Sequence, residues 1–317
     1  MKREKIVWLI SDGKRGHENQ SRGLLRALSA YAEIQEVLID TQNTKASWFD
    51  YLNAKLPVQL RALPQPNLII ATGSQTHSTL LAAGRATKAP TLVIMAPPRG
   101  LCHLFDRCII PQHDGRKGKN IIQTIGAMNL VRPAAKKTAA SGLFLIGGPS
   151  KHHKWNEGGL VQQIQQILAC EPQTHWTLTT SRRTPKSTTQ LLQSMSMAGS
   201  QLQVTPASAT GADWLPTQLA KTEKSWVTED SVSMVYEALS GGAKVGLLPV
   251  PRKSKDSRII RGLDNLVQTK YVLTYDPLKP ELSQFKPVNI LAEAERVAAL
   301  IARDYFEGAV ELRSGCT

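Results

Sequence analysis

The sequence predicts an α/β protein made of two consecutive parallel-sheet units. Three observations lead there. Short, wholly apolar runs alternate with stretches of helical spacing. The alternation stops near residues 131–142 and then starts again. The chain has 317 residues, enough for two domains at roughly 150 residues each. Strands that are apolar at every position, rather than at alternate ones, belong to sheets covered on both faces.

In the first unit the run Ile6-Val7-Trp8-Leu9-Ile10 is a strand ending in Ser11-Asp12-Gly13. Ser21 to Tyr31 has helical spacing, with Leu24, Leu25 and Leu28 on one side. Strands are expected at Glu36 to Ile39, Leu68 to Ala71, Thr91 to Met95 and Arg107 to Ile110, with a helix from His77 to Ala86. Pro97-Pro98 and Pro111 stop the last two strands. Val131 to Gly142, with Pro133, Lys136, Lys137 and small residues, reads as the domain linker.

The second unit opens with the strand Leu143 to Ile146, running into Gly147-Gly148-Pro149. Helices follow at Leu160 to Leu168, Gln190 to Met197 and Ser231 to Leu239. Strands are expected at Trp176 to Thr179, Leu202 to Val204, Trp226 to Thr228 and Val245 to Leu248. Ala292 to Phe306 is a closing helix. In such sheets ligands bind beyond the carboxyl ends of the strands, and two units place the natural site in the cleft between them.

Composition narrows the class. Hydrophobic residues make up 41% and charged residues 20%, an ordinary globular balance that excludes wholesale disorder, collagen and disulfide scaffolds. Cys102, Cys108, Cys170 and Cys316 form no CxxC pair and no zinc-finger spacing, so they read as reduced thiols of a cytosolic protein. Met1-Lys2-Arg3-Glu4-Lys5 looks like a signal n-region, but only five apolar residues follow, fewer than the ~7–15 a signal sequence uses. No run approaches the ~20 apolar residues of a membrane span. With 39 Lys and Arg against 25 Asp and Glu, the formal charge is +14. That charge suits a solvated surface, nucleic acid, or an anionic membrane or phosphorylated ligand. Aromatics are 5% and not interleaved with the basic residues, which argues against nucleic acid as a partner.

Five segments carry chemistry. The first is Ser11 to Gln20, directly after the first strand, where Gly13 and Gly16 let the backbone turn and approach a ligand. Asp12, His17 and Glu18 are titratable there, and His17 suits a general base oriented by a carboxylate. A polar loop capping the next helix is the plainer reading. Neither the P-loop nor the GxGxxG pattern is present. The second is Gly147-Gly148-Pro149-Ser150-Lys151-His152-His153, a glycine turn whose N–H groups, with Ser150 and Lys151, suit an anion, or which is simply a turn. His152-His153 is no metal pair, since neighbours point apart and no further ligand stands at the right spacing. The third is Thr180 to Pro185, where Arg182 and Arg183 beside Ser181 suit phosphate or carboxylate, or simply face solvent.

The fourth segment is the most informative. A strand ends at Thr228 and a helix begins near Ser231, with Asp230 or Ser231 as its cap. The N–H groups of Ser231, Val232 and Ser233 would hold phosphate. Ser233 and Glu237, four apart, share a helix face, and the Glu237 carboxylate can accept from two vicinal ribose hydroxyls. Gly241-Gly242 ends the helix. A capped helix with an incidental glutamate is the alternative. The fifth, Arg252 to Arg261, holds five basic residues, among them Lys255 and Arg258, and suits either contact with a donor sugar or an anionic acceptor, or equally a solvated basic helix start.

The fourth segment and the turn at 147–148 resemble the nucleotide-binding half of the GT-B glycosyltransferases, in which a helix N-terminus holds the diphosphate and a glutamate, here matched by Glu237, holds the ribose. Ser11-Asp12-Gly13 with Gly16-His17-Glu18-Asn19-Gln20, Thr180 to Pro185, and Thr228 to Met234 together resemble the elongated-mitochondria (mitochondrial-fission) family. Phe105-Asp106 and Pro111-Gln112-His113-Asp114 also fit, and the likeness spans roughly 5–265. Bacterial members of that family are regarded as glycosyltransferases of envelope polysaccharides. Lys14-Arg15 departs from the lysine-proline of that loop. Glu229 with Glu237 meets the E-x7-E spacing of retaining enzymes, whereas His17 as base suits an inverting one.

The resemblance implies two Rossmann-like parallel-sheet domains facing across a cleft, GT-B-like, at 1–135 and 136–291, with the helix 292–306 packing back on the first. It implies a hexosyltransferase-like, metal-independent enzyme without a cofactor, taking a nucleotide diphosphate sugar as substrate. His17, or Asp12, would deprotonate an acceptor hydroxyl of an envelope glycan or lipid-linked sugar, with Gly16, Glu18, Asn19, Gln20 and Arg258 near acceptor or donor sugar. Such an enzyme would lie in the cytoplasm, peripherally on the inner face of the cytoplasmic membrane. A nucleotide-sugar epimerase and a non-catalytic membrane-surface adaptor are the rival readings.

Overall fold

A computed structural model describes residues 3–196, 201–253 and 257–306. Met197, Lys255 and Cys316, each part of an expectation above, lie outside the described residues.

The chain divides into two units, 3–130 with 292–306, and 131–291. The first begins with β1 (Glu4–Ser11), α1 (Arg15–Leu28), β2 (Glu33–Asp40), α2 (Trp48–Leu52), β3 (Leu68–Thr72), α3 (His77–Thr87), β4 (Thr91–Ile94), β5 (Arg107–Pro111) and β6 (Ile121–Thr124). The strands form one parallel sheet in the order β2-β1-β3-β4-β5-β6. Alternation of side chains explains why its central strands are apolar throughout. Val7, Leu9, Leu68, Ile70, Leu92 and Ile94 pack on one face, against Leu24 and Leu28 of α1. Trp8, Ile10, Ile69, Ala71 and Val93 pack on the other, with Leu80, Leu81 and Ala83 of α3.

The second unit runs β7 (Ser141–Ile146), α4 (Glu157–Cys170), β8 (His175–Thr180), α5 (Lys186–Ser194), β9 (Leu202–Thr205), α6 (Trp214–Lys221), β10 (Lys224–Thr228), α7 (Val232–Ser240), β11 (Lys244–Leu248), α8 (Arg258–Gln268) and β12 (Val272–Thr274). Its parallel sheet has the order β12-β11-β10-β7-β8-β9. Phe144, Ile146, Trp176, Leu178 and Trp226 fill one face, against Leu160, Ile164 and Ile167 of α4. The last helix, α9 (Glu293–Tyr305), belongs to the first unit, where Val297, Ala298, Ile301 and Ala302 join the core beside α1.

The segment read as a linker is tied down from residue 131 onward. Ala134 N donates to Ala220 O, Thr138 N to Lys221 O, and the half-buried Lys137 ammonium to the carbonyls of Ala220 (3.0 Å) and Gly241. That ammonium satisfies the helix-end carbonyls of α6 and α7, a role its residue type does not reveal. Burial holds its pKa below the ordinary lysine value.

Strand order positions the loops that matter. In each sheet the chain leaves its first strand in one direction and later crosses to the other side, so order reverses between β1 and β3 and between β7 and β10. At such a point the loops leave the carboxyl ends of neighbouring strands in opposite directions and open a crevice. Residues 11–17 and 73–77 flank the first reversal; residues 147–150 and 228–231 flank the second.

Candidate functional site

At the second reversal the loops after β7, β8 and β10 are laced together. Gly147 N donates to Thr228 Oγ1 at 2.8 Å, and Gly148 N to Asp230 Oδ2 at 3.0 Å. Arg183 donates to that same carboxylate oxygen at 2.8 Å and to the carbonyls of Gly148 (2.8 Å) and Pro149 (3.1 Å). Thr184 Oγ1 donates to Gly147 O and accepts from Ser181 N at 2.9 Å, and Ser181 Oγ accepts from Arg183 N at 3.2 Å. The two glycines are required sterically. A Cβ on Gly147 would lie 2.2 Å from Asp230 Oδ2, and one on Gly148 would lie 2.2 Å from Arg183 O. Asp230 Oδ1, buried, has no hydrogen-bond partner among the described residues.

Glu229 faces a different neighbour. Its buried carboxylate accepts from Arg252 Nε (2.9 Å) and Nη2 (2.6 Å) and from Val250 N (3.2 Å). Arg252 also meets Asp264 at 3.0 Å, and Lys253 Nζ donates to Ser150 O at 2.8 Å. The first two basic residues of the fifth segment therefore hold protein groups. Arg258 stands exposed as the first residue of α8. Ser150 closes its own turn, Oγ accepting from the N–H groups of His152 (3.2 Å) and His153 (3.0 Å). Lys151 and Arg182 remain exposed, and Arg182 and Lys186 line a cavity of about 470 Å³ at the carboxyl ends of β8 and β9, with Thr180, Ser181 and Pro206.

The helix α7 starts at Val232 with Ser231 as N-cap, and the Ser231 side chain makes no capping hydrogen bond. The first-turn N–H groups, Val232 and Ser233 among them, are therefore left for another acceptor. Ser233 is exposed and Glu237, one turn on, is half-buried. Burial pushes the Glu237 carboxyl up from 4.5 to about 7, and no partner among the described residues offsets it. The two glutamates of the E-x7-E spacing are thus unlike: one is held by an arginine, the other is bare.

At the first reversal, the expected loop from Ser11 to Gln20 is mostly helix. It turns at Gly13 (φ +76°), and α1 begins at Arg15, six residues before the helix expected from Leu24, Leu25 and Leu28. Gly16 is an ordinary helical residue with open space at its Cβ position, so only Gly13 serves as a turn glycine. His17 and Glu18 therefore sit in the first helical turn. His17 Nδ1 lies 3.0 Å from both Asp12 oxygens, and Lys14 Nζ lies 3.2 Å from Oδ2. Burial opposes ionisation of Asp12, but hydrogen bonds from Lys14 and then the His17 ring hold its carboxyl below the ordinary range. Ser11 Oγ donates to Glu18 Oε1 at 2.5 Å. Gly73 (φ +91°) passes so close that a Cβ there would lie 2.5 Å from the His17 ring. With Nδ1 given to Asp12, Nε2 is the nitrogen left for chemistry. Asn19 is exposed, and Gln20 reaches back to Gly16 O at 3.5 Å.

Three features escaped the sequence reading: the Arg252–Glu229 pair, the Asp230 bridge to Arg183, and the glycine at 73. The arginine pairs join residues 23 and 47 positions apart, which no spacing rule connects. Gly73 followed an expected strand, and a glycine at a strand end was the available signal.

Residues 15–305 match the protein family described as mitochondrial fission ELM1. A comparison with curated proteins gives no match. Among solved structures, the UDP-GlcNAc 2-epimerase of Methanocaldococcus jannaschii is 12% identical, with a TM-score of 0.57, over 95% of this chain and 99% of that one. The glycotransferase of kitacinnamycin is 14% identical, with a TM-score of 0.52, over 96% and 99%. At such identities the likeness is one of fold, and it agrees with two Rossmann-like α/β units of the GT-B kind.

Proposed function

The chain belongs to the mitochondrial fission ELM1 family, and from that premise we propose that it is a glycosyltransferase using a nucleotide diphosphate sugar. The observation that carries this reading is Glu237. It is a desolvated carboxyl with no partner among the described residues, one turn into a helix whose N-terminus lacks a side-chain cap, at the point where strand order reverses. A vicinal diol donating to that carboxylate, with the diphosphate at the helix start, uses both features at once.

In this reading Gly147, Gly148, Thr228, Asp230, Ser181 and Arg183 shape the donor site. Ser231, Val232 and Ser233 meet phosphate through N–H groups, and Lys151 and Arg182 supply the free positive charge that compensates a leaving diphosphate. In the first unit, Asp12 fixes the His17 ring and stabilises the imidazolium that forms when Nε2 takes the proton of an acceptor hydroxyl. The acceptor is a glycan or a lipid-linked sugar of the cell envelope. Transfer then leaves a nucleoside diphosphate and the glycosylated acceptor.

A second reading, a nucleotide-sugar epimerase, draws on the fold shared with the M. jannaschii 2-epimerase. Thermal shift with UDP, GDP, CMP, dTDP and their common sugars, on wild type and Glu237→Ala, tests the donor site. The expected result is a shift with one nucleotide that the variant loses; no shift with any of them refutes the reading. Incubation with the binding sugar nucleotide and no acceptor then separates the two enzymes, because only an epimerase interconverts the sugar.

A further inference from the structure

The segment between β2 and β3 exposes an apolar cluster. Trp48 is 46% exposed, Phe49 76%, Leu52 61% and Val58 70%, and α2 contributes no buried residue at all. Surface aliphatics scattered singly need no explanation; two large aromatics and two aliphatics within eleven residues, on one short helix and the turn after it, do. The helix is fixed rather than frayed. Ser47 and Asp50 close a capping box, Trp48 meets Tyr51 edge-on at 6.0 Å, and the Arg85 guanidinium lies 5.3 Å from the Tyr51 ring.

The charge around this cluster is one-sided. Lys45, Lys55, Arg61, Arg85 and Lys88 are all exposed on the same segment or on the end of α3 that it covers. Two carboxylates stand near them and both are engaged: Asp50 accepts from Ser47 N and Oγ at 2.7 Å, and Asp106 accepts from Thr91 N and Oγ at 2.8 Å. Beneath α2 a cavity of about 460 Å³ opens between Tyr51, Arg85, Lys88, Thr91 and Asp106. Apolar side chains at the surface, cations around them and a polar cavity with two cations alongside are the pattern of an interfacial anchor.

We propose that this face docks on an anionic lipid bilayer. Trp48, Phe49, Leu52 and Val58 enter the interface, the surrounding lysines and arginines meet the headgroup phosphates, and one headgroup enters the cavity beside Arg85 and Lys88. No described helix is long and apolar enough to cross a membrane, so docking is peripheral. The inference goes beyond the donor reading and stands on a different surface; failure of one leaves the other untouched.

Vesicle flotation of the full chain tests it, using vesicles of phosphatidylcholine alone and of phosphatidylcholine with phosphatidylglycerol. Wild type is expected to float with the anionic vesicles and only weakly with the neutral ones. The combined variant Trp48→Ser, Phe49→Ser, Leu52→Ser should lose about tenfold or more of that partition while keeping a cooperative melting transition, since α2 contributes no buried residue. Arg85→Gln with Lys88→Gln should weaken binding to the anionic vesicles and leave the neutral ones unaffected. Quenching of tryptophan fluorescence by brominated lipid should disappear in Trp48→Phe. Wild type that stays with neither vesicle overturns the proposal, as does an apolar variant that floats like wild type. A wild-type dimer that the apolar variant splits, with flotation unchanged, identifies the face as a subunit interface instead.

Discussion

Replacing Glu237 by glutamine removes a charge that the fold disfavours, and the effect has a defined pH dependence. The carboxyl moves from 4.5 to about 7 on folding, through burial. A carboxyl raised by 2.5 units makes the folded state hold its proton between those two values. Stability therefore falls as pH rises from 4.5 to 7, and above 7 the whole penalty stands, about 3 kcal/mol at ~1.4 kcal/mol per unit. Glu237→Gln carries no such penalty. Urea unfolding at pH 4, 6 and 8 should show the variant equal to wild type at the lowest pH and more stable by up to about 3 kcal/mol at the highest. Ligand binding should run the opposite way. A ribose diol donates to the ionised carboxylate, so the affinity of wild type for its sugar nucleotide should rise up to about tenfold per unit as pH climbs towards 7. The diphosphate of a sugar nucleotide does not titrate there, and the variant should bind weakly with no pH dependence. A stability difference independent of pH, or a wild-type affinity flat from pH 5.5 to 8, would refute the reasoning.

Further outcomes follow from the same geometry. Gly147→Ala places a methyl 2.2 Å from Asp230 Oδ2, so it should displace the carboxylate from Arg183, cost about 1–3 kcal/mol and weaken nucleotide binding, checked by unfolding and calorimetry. Arg252→Ala leaves the buried Glu229 carboxylate, among the described residues, with Val250 N alone for a hydrogen-bond partner, and a loss of about 3 kcal/mol in denaturant unfolding is expected. Asp12→Asn and His17→Ala should each abolish transfer while donor affinity, measured by thermal shift, stays at the wild-type level. Donor affinity that falls with turnover would move His17 from the acceptor to the donor.

The fold was legible because the central strands are buried on both faces and read as unbroken apolar runs, from Ile6-Val7-Trp8-Leu9-Ile10 to Leu143-Phe144-Leu145-Ile146. The edges were not. β6 and β12, at the outer positions of their sheets, are four and three residues long, with Gln123 and Thr274 breaking the apolar pattern. An edge strand has one paired side and a wetter environment, so its sequence carries less hydrophobic signal. The α1 start was hidden for a related reason: Arg15-Gly16-His17-Glu18-Asn19-Gln20 has no apolar residue, and periodicity is silent where a helix projects past the core. Ser231, Gly147 and Gly148 announced themselves by standing between a strand and the next element. Arg183, Glu229 and Arg252 did not announce their partners, because ion pairs between loops depend on strand order.

The adjacent acids 229–230 show why residue type alone misjudges a site. Asp230 and Glu229 look like ligand-facing carboxylates on a strand-end loop, yet each is answered by an arginine from another loop. Those pairs neutralise two negative charges that would repel a diphosphate a few residues from the α7 N-terminus. They also tie the loops after β7, β8, β10 and β11 to one another. Glu237 has no such answer among the described residues, and at about 7 it carries only part of its charge near neutral pH. A diphosphate approaching the helix start thus meets uncapped N–H groups, the exposed Lys151 and Arg182, and a muted glutamate. If neutralisation is the function of the Arg183–Asp230 pair, Arg183→Met should weaken nucleotide binding more than Asp230→Asn does, because the first bares a charge and the second removes one. Equal losses in the two variants, measured by calorimetry at low salt, would assign the pair to loop geometry instead.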